Sequence, residues 1–174
     1  MRLGELLVRW GLLTPAQVDM GLAWQARWQC RLGEALVHLR LLQPEQVLRA
    51  LSSQLQVPFV RGGEMAKVPA AVVRSVPPAV LARLGMCPLR VDWHGTRGTL
   101  YVATHQPENL PGLDDLAFVT SFTVRPVLAL PEDIERTLRL HGVYGARDVG
   151  RDVAPIELPP DDGCRLEITR GGEL

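Results

Sequence analysis

Apolar residues near the start of the chain recur with the spacing of a helix. Leu3, Leu6, Leu7 and Trp10 share one face of a short helix, and Gly11 is a typical residue to end it. A threonine, a proline and a glutamine in segment 14–17 then form the signature of a capping box at the start of a second helix. The pattern therefore predicts a short helix, a tight turn and a longer helix.

The longer helix carries an apolar stripe that ends in a glutamine. Val18, Leu22 and Gln25 stand at positions i, i+4 and i+7, so they lie on one helical face. Two interpretations of the glutamine are open. In the first, its amide binds a polar ligand at the edge of an apolar surface. In the second, it hydrogen-bonds a neighbouring backbone group or simply faces solvent.

The whole pattern occurs twice. Residues 31–54 repeat residues 2–25 after a spacer of five residues, and 13 of the 24 aligned positions are identical. Val47, Leu51 and Gln54 repeat the stripe that ends in a glutamine. Two copies are too few for a solenoid, which needs about three or more repeats. The duplication therefore predicts a paired unit with pseudo-symmetry.

Both copies begin with Arg-Leu-Gly. A glycine such as Gly4 or Gly33 near a helix start costs up to about 1 kcal/mol relative to alanine. Its retention in both copies indicates that something approaches the backbone closely at these positions. A ligand and a neighbouring helix are equally good candidates.

The rest of the chain predicts a small α/β domain. Helical patterns cover 69–76, 78–84, a stretch around 113–120 and 131–141, and strand patterns cover 87–93, 99–104 and 123–128. We therefore expect an α+β fold, with an all-α subdomain of two tandem helix-turn-helix repeats at 1–56, a linker at 57–67 and an α/β subdomain with a mixed sheet at 68–145. Residues 146–174 are expected to form a flexible tail. The alternation at 164–169 also fits a strand that docks on a sheet edge.

Charge and composition narrow the classes of function. The chain has 19 basic and 19 acidic side chains, which disfavours non-specific nucleic-acid binding. The paired helices and the arginines still leave helix-turn-helix DNA binding as a third hypothesis. Lys67 is the only lysine, so the other basic residues are arginines. This bias reflects genome composition, or it reflects arginines that stack on or fork onto a planar ligand.

Motifs for catalysis, metal binding and export are absent from the sequence. It has no P-loop, no GxSxG and no HExxH, so we expect a non-catalytic protein. Cys30, Cys87 and Cys164 are odd in number and lack CxxC spacing, which predicts reduced thiols and no metal site. No apolar run reaches the ~18–20 residues of a membrane span, and no signal peptide is recognisable. We therefore expect a cytoplasmic protein.

The duplicated motif resembles the MshEN domain, the N-terminal domain of type II secretion and type IV pilus assembly ATPases. That family carries two motifs of the form RLGxxLxxxGxxxxxxLxxxLxxQ, and members with both motifs intact bind the second messenger cyclic di-GMP. The spacer of five residues also matches, and the resemblance extends more loosely to about residue 145. Three positions depart from the motif. Val18 and Val47 replace leucines, and Arg40 stands where the second motif should have a glycine, so that it narrows the second half-site or only changes a turn.

The resemblance implies a stand-alone, non-catalytic cyclic di-GMP receptor that relays the level of this messenger to a partner protein, without a cofactor. The expected partner protein is a secretion or pilus ATPase or another signalling protein. The alternative is a docking domain of such a system that keeps the fold but binds no nucleotide. The resemblance assigns ligand binding to these residues: Arg2, Leu3, Gly4, Leu7, Val18, Leu22, Gln25, Arg31, Leu32, Gly33, Leu36, Val47, Leu51 and Gln54.

Overall fold

The computed structural model describes residues 2–143. The expected tail and the strand pattern at 164–169 lie outside the described residues. Within this range the chain forms two compact units, which meet in sequence between Val57 and Pro58. The first unit is helical and the second contains helices and a mixed sheet, so the predicted α+β class is confirmed.

The first unit consists of four helices that follow the two sequence copies. Helix α1 spans Leu3–Arg9, α2 spans Pro15–Trp28, α3 spans Leu32–His38 and α4 spans Pro44–Leu55. Helix α1 packs mainly against α4, and α2 packs mainly against α3. Leu7 and Leu36, at equivalent positions of the two copies, are fully buried in the shared core. The short helix of each copy therefore packs against the long helix of the other copy, and together they form the paired unit that the duplication predicts.

Polar groups at the predicted positions start α2. The Thr14 Oγ1 atom accepts a bond of 3.3 Å from the Gln17 backbone N–H, and the Gln17 Oε1 atom accepts one of 2.8 Å from the Thr14 N–H. Helix α4 has only the second half of this box, because Gln43 replaces the threonine; its N–H donates to Gln46 Oε1 at 2.8 Å.

The two short helices end in the same turn. Gly11 has φ of 70° and Arg40 has φ of 57°, both in the left-handed region. In each copy this residue donates its N–H at 2.9 Å to the carbonyl three residues earlier, and the next residue donates at 3.0 Å to the carbonyl five residues earlier. This pair of bonds is the Schellman motif. Arg40 therefore leaves the turn unchanged, although an arginine adopts a conformation that favours glycine.

The second unit is built around a three-stranded sheet. Its helices are α5 (Gly62–Met65), α6 (Ala70–Arg74), α7 (Pro78–Leu84), α8 (Leu110–Thr120) and α9 (Pro131–Leu140), and its strands are β1 (Cys87–His94), β2 (Arg97–Thr104) and β3 (Thr123–Leu128). Strands β1 and β2 pair antiparallel, β2 and β3 pair parallel, and the order is β1-β2-β3. Helix α8 makes the crossover that the parallel pair requires. The sheet is therefore mixed, as the sequence predicts.

The segment expected as a linker, 57–67, takes part in the second unit. Phe59 forms a parallel bridge with Leu128, and the Val60 N–H donates to the Leu128 carbonyl at 2.9 Å. Val60 and Met65 are fully buried in the core around the sheet. This stretch thus covers the outer edge of β3 near its end and contributes apolar surface to the core.

No helix within residues 2–143 is long and apolar enough to cross a membrane. The same range contains no group of three or more histidine, cysteine and acidic residues arranged to hold a metal ion.

Candidate functional site

The two motif arginines occupy equivalent places at helix starts. Arg2 precedes α1 and Arg31 precedes α3, and both residues are exposed. Their backbone N–H groups donate to the carboxylates of Glu5 and Glu34 at 3.1 and 3.2 Å. A guanidinium has no acceptor atom, so the glutamates and not the arginine side chains cap these helices. Each arginine side chain thus projects from a helix N-terminus at the surface.

The two motif glycines make close helix contacts. A Cβ atom added to Gly4 would lie 2.7 Å from Val18 Cγ1, and one added to Gly33 would lie 2.6 Å from Val47 Cγ1. Real Cβ atoms essentially never approach a carbon this closely, so a larger residue at either position would force the facing valine or its helix to shift. Of the two interpretations of these glycines, the neighbouring helix accounts for both positions.

Several other motif residues belong to the core of the first unit. Leu7 and Leu36 have no exposed surface, while Leu3 and Val47 are 9% and 7% exposed. Leu32 is half-buried and packs near Gly21, a residue that the sequence analysis did not single out. A Cβ added to Gly21 would lie 2.8 Å from Leu36 Cδ2 and 3.0 Å from Leu32 Cδ1. Gly21, Leu32 and Leu36 therefore hold α2 against α3. In this conformation a ligand cannot touch Leu7 and Leu36, because both are fully buried.

The remaining motif residues lie at the surface, and two of them line a pocket. Leu22, 46% exposed, and Gln25 form this pocket together with Ala26, Gln29 and Cys30. Cys30 directly precedes Arg31. The pocket therefore joins the end of the first copy's stripe to the beginning of the second copy's motif. Ala26, Gln29 and Cys30 all lie in the spacer between the copies and match no repeated pattern, so the sequence carries no signal for them.

In the second copy the residues equivalent to the pocket lining are arranged in a related but not identical way. Leu51 is half-buried and Gln54 is exposed on α4, which packs against α1 and hence near the helix that begins after Arg2. Helix α2 runs two residues further along its copy than α4 does. The residue equivalent to Cys30 is Phe59, which is buried. A buried phenylalanine thus stands in the second copy at the position of Cys30, so the lining of the pocket is not fully repeated.

Comparison with known proteins identifies the family. The model of the MshEN domain matches residues 55–148, which is more than half of the chain. The chain belongs to the MshEN domain family. Most of this match falls on the second unit, whereas the sequence resemblance rests mainly on the repeats of the first. The resemblance stated from the repeats is thereby confirmed from a different part of the chain.

Two solved structures resemble most of the chain. A structure of MshE with cdg, that is, cyclic di-GMP, matches 81% of this chain and 99% of its own, at 26% identity and a TM-score of 0.66. A structure of the N-terminal domain of XpsE matches 79% of this chain and 92% of its own, at 17% identity and a TM-score of 0.52, and it supports the fold alone. No curated protein sequence matches the chain.

Proposed function

We propose that the helical repeat unit of this protein binds cyclic di-GMP and, without catalysing a reaction, relays the presence of this messenger to a partner protein. The observation that carries the proposal is the pocket lined by Leu22, Gln25 and Cys30, because it joins the glutamine of one motif to the residue preceding the arginine of the other. The related structure of MshE with cyclic di-GMP supports the same ligand for this chain. The free thiols Cys30 and Cys87 fit a cytoplasmic setting.

In this proposal each half of the site combines both copies. Helices α2 and α3 supply Leu22, Gln25 and Arg31, and helices α1 and α4 supply Arg2, Leu51 and Gln54. This pairing suits a ligand with two guanines, two phosphates and near two-fold symmetry. An arginine fork can bond the O6 and N7 atoms of guanine, stack on the base or contact a phosphate. The leucines offer apolar surface to a purine face, and the glutamine amides offer polar contacts at its edge.

The experiment is a calorimetric titration of the purified chain with cyclic di-GMP, with cyclic di-AMP and GTP as ligand controls. Arg31→Ala should weaken binding by at least about tenfold, because a charge-assisted contact contributes about 1.5–3 kcal/mol. Arg9→Ala is the matched control. It removes another exposed arginine side chain from the same unit, at the end of α1, and should leave affinity unchanged. Absence of heat and of a thermal shift with cyclic di-GMP would refute the proposal.

A second function, docking without a nucleotide, has a specific observation in its favour. Gly4 and Gly33 are accounted for by helix packing, and Leu7 and Leu36 by the core. These residues would be retained in a repeat unit that binds no ligand at all. The surface residues Arg31, Gln25 and Gln54 therefore distinguish the two functions, and variants at the buried motif positions do not.

A further inference from the structure

One part of the sheet in the second unit carries charged and polar side chains. The strand register pairs Arg90 with Tyr101 and Tyr101 with Arg125, which gives one row across the three strands. The next row pairs Asp92 with Thr99 and Thr99 with Thr123. Residues paired in this way share one side of a sheet, with neighbours about 5 Å apart. We call these six residues the arginine face.

A β-bulge gives Arg90 its position on this face. Pro88 pairs with Val102, but Arg90 pairs with Tyr101, so the register shifts by one residue between them. In a regular strand residues i and i+2 lie on the same side, and Arg90 would then share the side of Val102, which is fully buried. Bulges commonly redirect a side chain beside a functional surface. Here the bulge moves an arginine from the core side of the sheet to the side of Tyr101.

Contacts within the face hold the Arg90 guanidinium in place. Its Nη2 atom donates to Asp92 Oδ2 at 3.1 Å, and its central carbon lies 4.7 Å from the centroid of the Tyr101 ring. Its Nε donor is buried and has no acceptor within residues 2–143. A buried donor without an acceptor destabilises a folded unit, so stability of the unit alone does not explain this arrangement. The guanidinium is fixed on the tyrosine before any partner arrives.

The charge of this face defines the chemistry of a partner. Asp92 offsets Arg90, while Arg125 and the adjoining Arg97, which is on the same side of β2, add two further positive charges. The whole chain has a net charge of zero, so this local excess is not a property of the composition. Arginine forks match carboxylates in geometry, and arginine and tyrosine are enriched at protein interfaces.

We propose that the arginine face is a docking surface for an acidic segment of another protein, whose carboxylates engage Arg90 and Arg125 on either side of Tyr101. The proposal does not depend on cyclic di-GMP, because all six residues lie in the second unit. The bulge, the preset guanidinium and the excess of positive charge all favour this occupant.

A labelled deca-glutamate peptide is the probe, and fluorescence anisotropy of the full chain at low ionic strength is the measurement. Arg125→Glu should weaken binding by at least about tenfold, since it removes one charge-assisted contact and adds repulsion. Arg74→Glu changes the net charge of the chain by the same amount at an exposed position on α6, and should alter affinity by no more than about twofold. Tyr101→Leu, which keeps an apolar side chain on β2, should weaken binding as well.

Three results would overturn the proposal. They are no binding of deca-glutamate, equal losses in Arg125→Glu and Arg74→Glu, and equal binding of a deca-lysine peptide. NMR chemical shifts of β1–β3 that respond to cyclic di-GMP and not to the peptide would show that a nucleotide occupies the face instead. Arg31→Ala should leave peptide binding intact, so failure of this proposal and failure of the cyclic di-GMP proposal are distinguishable.

Discussion

The left-handed turn at Arg40 allows a direct test of how much this departure from the motif lowers the free energy of unfolding. A residue other than glycine pays roughly 1–2 kcal/mol in this conformation, and a glycine loses about 0.5–1 kcal/mol more conformational entropy on folding than alanine. Arg40→Gly should therefore raise the free energy of unfolding by about 0.5–1 kcal/mol. The equivalent change in the first copy, Gly11→Ala, should lower it by about 1 kcal/mol. A Cβ on Gly11 meets no atom within 4 Å, so only the backbone conformation contributes.

Urea unfolding followed by tryptophan fluorescence measures both effects. Three of the four tryptophans, Trp10, Trp24 and Trp28, lie in the first unit, and Trp93 lies in the second. A Trp93→Phe background therefore reports the repeat unit alone, which matters because two units need not unfold as one.

Arg40→Ala is the decisive control for this prediction. It removes the arginine side chain but keeps a Cβ atom in the left-handed region. If the gain in Arg40→Gly comes from the backbone, Arg40→Ala should leave stability nearly unchanged. A similar gain in Arg40→Ala would show that the charge is responsible, and a loss in Arg40→Gly would refute the reasoning altogether.

Two further predictions concern packing and thiol reactivity. Gly33→Ala should destabilise the repeat unit by about 1–3 kcal/mol through its 2.6 Å approach to Val47, and adding Val47→Ala should recover part of the loss in the same urea assay. In a Cys164→Ser background, cyclic di-GMP should slow alkylation of Cys30, which lines the pocket, as followed by mass spectrometry. Cys87 should stay unmodified while the protein is folded, because burial raises the pKa of its thiol to about 12; an unprotected Cys30 would contradict the location of the site.

The sequence predicts the repeat unit well, because its signals are local and occur twice. The capping pattern at 14–17 and the prolines at the first helical position fix where α2 and α4 begin. It does not predict the role of segment 57–67, because the partner of Val60 is Leu128, far away along the chain. The sequence does not predict the bulge before Arg90 either, because the bulge depends on the pairing of β1 with β2 and not on the residues of β1 alone.

The three residues that depart from the family motif share a structural role. Val18 and Val47 lie against Gly4 and Gly33, and Arg40 occupies a turn with unchanged hydrogen bonds. All three therefore belong to the residues that shape and stabilise the helices. The motif arginines Arg2 and Arg31, which are exposed, and the glutamines Gln25 and Gln54, which are half-buried and exposed, match the motif in both copies.

A leucine at position 18 or 47 would change the branching of the side chain that faces the glycine. Its main effect would therefore be on the separation of the two helices and not on a surface contact. The departures should consequently alter the stability of the repeat unit more than its choice of ligand. A variant that restores all three motif residues, Val18→Leu, Val47→Leu and Arg40→Gly, tests this by comparing its unfolding free energy with its affinity for cyclic di-GMP. A large gain in affinity at unchanged stability would show that the motif is not divided in this way.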